Sequence, residues 1–212
     1  MQRKQERLGT PRAAGIAGVV FAVLMAAAIV LVRIALPGGA GGTDMTVDDG
    51  QRSAVRTALA LLPFAGIAFL WFMGALREQG GEGEDRFVST VFIGSGLVFV
   101  ATLFCSAAAA TTVLDEGQQP SPFGRHFAYT LLTTYAMRMA AVFIFTTSAI
   151  GRRLGALPRP LVVLGYLAGL ALLVLGASLP WSELVFPAWA LIVSLNILWG
   201  RRGTGPQPAA PS

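Results

Sequence analysis

Charge is what this sequence has least of. Of its 212 residues, 13% are Asp, Glu, Lys or Arg, about half the roughly 25% of an average soluble domain. A chain so poor in polar surface cannot cover a globule in water, and its mean hydropathy of +0.64 makes lipid its natural solvent. Histidine and cysteine occur once each, as His126 and Cys105. One histidine cannot supply bis-histidine haem ligation, and the set falls short of the three or four ligands of a zinc site. One cysteine leaves no intrachain disulfide and no dithiol redox pair. Paired acids for a proton relay, phosphate-binding loops and dinucleotide glycine patterns are missing as well. No catalytic, cofactor-binding or metal-binding residue is expected, and the chain reads as a non-enzymatic protein.

The sequence is instead 54% hydrophobic, and the apolar residues come in long runs. A bilayer core of roughly 30 Å is crossed by about 20 apolar residues in a helix. Runs of that kind lie at about 13–36, 54–76, 87–113 and 127–150. The last stretch, Leu161 to Gly200, is too long for one crossing, and Leu179-Pro180-Trp181 divides it into spans at about 161–179 and 182–200. The expected fold is therefore all-α, a polytopic bundle of about six transmembrane helices. A basic tail, 1–12, precedes it, and a Pro/Gly/Ala-rich tail, 201–212, follows and reads as disordered. The first run exceeds the roughly 7–15 apolar residues of a signal peptide, so it reads as an uncleaved span.

Positive charge orients the spans. Arg3, Lys4, Arg7, Arg12, Arg77, Arg86, Arg152, Arg153, Arg159, Arg201 and Arg202 fall on one side, and Arg52, Arg56 and Arg125 on the other. Eleven against three places both termini in the cytoplasm by the positive-inside rule, and an even number of crossings follows. The basic residues flank apolar runs and are not interleaved with aromatics, so the net charge of +5 signals topology and no nucleic-acid partner. Trp181, Trp189 and Trp199 lie where an interfacial belt would be.

Small residues recur at four-residue spacing in Gly18-Ala22-Ala26, Ala101-Cys105-Ala109 and Gly165-Gly169, with Gly176 further along. Such stripes let helices approach closely, either within one bundle or between copies in a homo-oligomer or a larger membrane complex. Pro63 and Pro187 fall inside spans, and each removes a helical hydrogen bond.

One residue stands out. Arg138 falls near the middle of the fourth span, where an arginine costs about 2.5–3.5 kcal/mol on insertion scales. Helical spacing puts Thr134 and Tyr135 on its face, so Arg138, Tyr135 and Thr134 form a candidate intramembrane polar site. The core of the spans holds no obvious counter-ion. The nearest candidate, Glu183, starts the last span, too far from Arg138 unless that span begins deep or the fourth begins high. Arg33, Arg56, Arg125, His126 and Glu183 form a second candidate, a polar cluster at the outer face. Arg138 can knit helices together through backbone carbonyls, or it can meet an anion or polar solute in a wet cavity. The first option suits a membrane-embedded accessory or regulatory component, the second a small transporter or channel. The ligand, if there is one, is not readable; membrane lipids are the one partner the composition names.

Gly94-Ser95-Gly96 is similar to the Gly-x-Ser motif of rhomboid-type intramembrane proteases, but Ile93 stands two before Ser95 and His126 lies at the mouth of its span. Intramembrane enzymology is thus a distant alternative. From Phe87 to Trp199 the chain resembles a family of small, uncharacterised bacterial multi-pass membrane proteins. Tyr135 to Phe143, Leu157-Pro158-Arg159 and Leu184 to Trp189 carry the likeness. It implies about six helices and membrane residence, and brings no activity with it; the bacterial plasma membrane is the expected location.

Overall fold

The computed structural model describes residues 10–35, 49–80, 86–115, 122–175 and 181–199, and every element among them is helical. These are α1 (Thr10–Ala35), α2 (Asp49–Gly80), α3 (Arg86–Asp115), α4 (Pro122–Thr130), α5 (Met137–Arg153), α6 (Arg159–Leu175) and α7 (Val185–Trp199). A π-helical turn, Leu131–Ala136, joins α4 to α5, and a 3-10 turn, Ser182–Leu184, leads into α7. Helices suit such apolar residues because each closes its own backbone hydrogen bonds, which hydrocarbon cannot do for it.

Five helical segments are long and apolar enough to cross a membrane: Ala13–Ile34, Asp49–Glu78, Arg86–Thr112, His126–Arg153 and Ser182–Trp199. The remaining apolar helix, α6, is shorter at 17 residues, or about 24 Å at 1.5 Å per residue. By the same measure α2, with 32 residues, runs about 47 Å. Helix α2 starts five residues earlier than the apolar run suggested, because Asp49 to Ser53 extend it as a polar first turn. The tails at 1–9 and 200–212, with Gly176 to Pro180, lie outside the described residues.

Going round the bundle, α1 packs on α2, α2 on α3, α3 on α4 and α5, α5 on α6, α6 on α7, and α7 back on α1. Five helices send a phenylalanine to the centre. Phe21, Phe69, Phe99, Phe143 and Phe186 are all fully buried. Phe69 lies 5.0 Å from Phe21, 5.0 Å from Phe99, 4.9 Å from Phe143 and 5.8 Å from Phe186, ring centre to ring centre. Most of these pairs are tilted or edge-on, the arrangement the ring quadrupole favours by about 0.5–1.5 kcal/mol per pair. The aromatic cluster forms the centre of the buried core.

Small residues serve contacts inside this bundle. A Cβ on Gly18 of α1 would collide with Ser194 Oγ of α7 and with Phe72 of α2, and one on Gly165 of α6 would collide with Ser148 Oγ of α5. In the third stripe, Ala101 and Cys105 are exposed. Helix α5 ends in a Schellman turn: Ala156 N–H donates to Gly151 O at 3.0 Å and Gly155 N–H to Arg152 O at 3.3 Å. Gly155 takes φ +63° there, the left-handed conformation that favours glycine. Pro63 lies within α2, but Pro187 falls in the first turn of α7. No residue of α7 stands four positions before it, so it kinks no span.

Candidate functional site

Glu183 and Arg33 meet. Trp181 adopts φ +72° and opens the 3-10 turn, where Leu184 N–H donates to Trp181 O at 3.0 Å. This turn tucks Glu183 inward, and three residues later Phe186 joins the aromatic cluster. Arg33 stands in the last turn of α1. Helical Cα–Cβ bonds lean toward the N-terminus, so its side chain is directed back along the bundle. Arg33 Nη2 donates to Glu183 Oε1 at 2.6 Å, with the side chains 19% and 5% exposed. Each charge also suits its helix end, the cation at a C-terminus and the anion just ahead of an N-terminus. The contact is single-toothed: Glu183 Oε2 is buried and has no hydrogen-bond partner.

Arg138 is placed quite differently. It lies 12 residues from His126 and 15 from Arg153, the bounds of its span, hence about 18 and 22 Å from the two ends. Phe143 of the central cluster is five residues away on the same helix, about 7.5 Å along the axis. This is mid-depth. Yet α5 turns Met137, Ala140, Ala141, Phe143, Ile144 and Ser148 inward, and Arg138 is exposed on the opposite side. Among the described residues it makes no hydrogen bond or ion pair. Glu183, the acid the sequence offered as a candidate partner, is engaged by Arg33.

The π-helical turn sets this face. Its wider turn makes Ala128 and Thr133, five residues apart, both buried, where an uninterrupted α-helix would step by three or four. Tyr135 is 54% exposed, one turn from Arg138 on the outward face, whereas Thr134 is only half-buried. The π turn could not be read from the sequence, since nothing in Leu131 to Ala136 breaks the ordinary helical pattern. Ser106 Oγ donates to Ala128 O at 2.7 Å and ties α3 to the helix just before it.

Of the other residues in the outer cluster, Arg56 and His126 are exposed, and the side chain of Arg125 lies outside the described ones. Of that set, Arg33 and Glu183 form an ion pair. Two polar atoms escaped sequence reasoning. Ser148 Oγ and Trp189 Nε1 are buried without hydrogen-bond partners, and both face Gly165. Trp189 is thus an interior residue, while Trp181 and Trp199 are exposed as an interfacial belt requires. At the Arg153 end, a cleft of about 40 Å³ lies among Arg77, Phe92, Thr147 and Leu157, room for little more than a water. No group of three or more His, Cys, Asp or Glu able to hold a metal occurs among the described residues.

No family model, curated protein or solved structure matches the chain. Its own geometry carries the argument from here.

Proposed function

We propose that this chain is a non-enzymatic, membrane-embedded accessory or regulatory component of a bacterial plasma membrane. It crosses six times, with α6 as the short fifth span and both termini in the cytoplasm. The lopsided arginine distribution supports the orientation, and the five long apolar helices support residence in lipid.

The observation that carries the reading is the placing of Arg138, a charge at mid-depth on the outside of a bundle whose buried core is centred on phenylalanines. A transporter keeps its intramembrane charges facing the pathway or one another. An outward-facing arginine suits a protein that completes its structure against a neighbour. The buried Arg33–Glu183 pair serves the fold by fastening α1 to the turn before α7.

The reading is tested with Arg138→Met in the isolated, purified protein. Because no bond inside the bundle is lost, the variant is expected to match or exceed the wild type in thermal stability, and anion flux into proteoliposomes is expected at background for both. Unfolding of the variant would mean that Arg138 ties helices together. Flux in the wild type that vanishes in the variant would give the site to a transporter.

A further inference from the structure

Resting on that reading, we infer that the face formed by Arg138 of α5 and Tyr135 of the π-helical turn before it docks a transmembrane helix of another protein that carries a carboxylate at mid-bilayer depth.

Three observations narrow the occupant to this class. First, depth excludes the water and headgroup layers. Arg138 stands about 18 Å from the nearer end of its span, and an extended arginine side chain covers less than half of that. Second, charge excludes a second copy of this chain. Two copies meeting symmetrically on this face would oppose one Arg138 with another. An asymmetric pair fares no better, because the chain has eleven acids and Glu183 alone falls inside an apolar run. Glu183 is buried and already paired with Arg33. Asp49 and Glu78 sit at the two ends of their span. Among the described residues, none gives a second copy a free carboxylate at the required depth.

Third, the face is built for an acceptor. Arg138 and Tyr135 lie one helical turn apart on the exposed side, so a guanidinium and a phenol hydroxyl point into the same space. Both can donate to one carboxylate, which leaves neither charge alone in hydrocarbon. Further along α5, Phe145 packs on Tyr166 and Gly169 of α6, so the exposed part of this face is Arg138 and Tyr135 themselves. The acid on the partner and Arg138 each disfavour insertion alone and cancel each other when paired, so the pairing makes assembly selective as well as stable.

The test uses the full-length protein in phosphatidylcholine vesicles and a synthetic polyleucine helix labelled for energy transfer. Three versions are compared, with a single Asp at the central position, a single Asp near one end, and Leu throughout. The central-Asp helix is expected to associate at least tenfold more tightly than either of the others. That advantage is expected to disappear with Arg138→Met, a variant that loses no internal bond, and to shrink with Tyr135→Phe. Equal association of all three helices overturns the acidic-partner inference but leaves the accessory reading standing, since the latter rests on stability and flux. An Arg138-dependent enrichment of phosphatidylglycerol around the chain, with no discrimination among helices, overturns it in favour of lipid.

Discussion

The Arg33–Glu183 pair makes a prediction whose size follows from its burial. At an effective dielectric of about 20, charges roughly 4 Å apart attract by about 4 kcal/mol, and desolvation offsets most of this. The consequence is asymmetric. Arg33→Leu strands a carboxylate whose side chain is 5% exposed and whose other oxygen has no partner, a loss of about 3–5 kcal/mol. Glu183→Leu strands a side chain that is 19% exposed at a helix end. That arginine can swing out to the interface, so the loss is about 1 kcal/mol, as for a weak surface pair. The double variant replaces both charges with apolar volume and is expected within about 1 kcal/mol of wild type, or above it. Unfolding each variant with SDS in mixed micelles, followed by tryptophan fluorescence, measures all four corners of the cycle. Single-variant losses that are equal and sum to the double within about 0.5 kcal/mol would show that the two residues do not interact, and the reasoning would fail.

Phe69 touches four rings of the central cluster, so Phe69→Ala is expected to cost about 3–5 kcal/mol in the same assay; a loss under 1 kcal/mol would mean the cluster is loosely packed. Gly165→Val pushes a branched side chain into Ser148 Oγ and Trp189, and about 1–3 kcal/mol of overpacking is expected, with a change in Trp189 emission. Gly155→Ala meets open space but must hold φ +63°, which costs about 1–2 kcal/mol and is read as a lower thermal midpoint; an unchanged midpoint would contradict the Schellman turn.

Much of the fold was legible because lipid imposes few solutions. Runs of about 20 apolar residues have to be helices, and Leu179-Pro180-Trp181 falls between the described end of α6 at Leu175 and the start of α7 at Val185. The stripe at Gly18 and Gly165 identified close-packing positions, though periodicity could not say whether the neighbour was α7, α5 or another copy. The central phenylalanines were invisible as a group. Thirteen phenylalanines are spread through the sequence, and only the packing shows that one from each of five helices reaches the centre. Arg138 stood out from its energetic cost alone, but its direction did not. The π turn before it resets the face, and π turns leave no composition mark. The partnership of Arg33 with Glu183 was hidden for a different reason. The two are 150 residues apart, and the inward tuck of Glu183 depends on the left-handed backbone at Trp181, a residue type with no preference for it.

The most direct test of the account is the depth of position 138 in a bilayer. A nitroxide is attached to Arg138→Cys on a Cys105→Ser background and reconstituted without any partner, and its relaxation is measured with oxygen and with a water-soluble nickel chelate. The account predicts strong oxygen broadening, negligible nickel access and a depth of about 10 Å or more below the phosphates, in a core of about 30 Å. Ready access by the nickel chelate would place the residue in water and contradict the outward, lipid-level face on which the account depends.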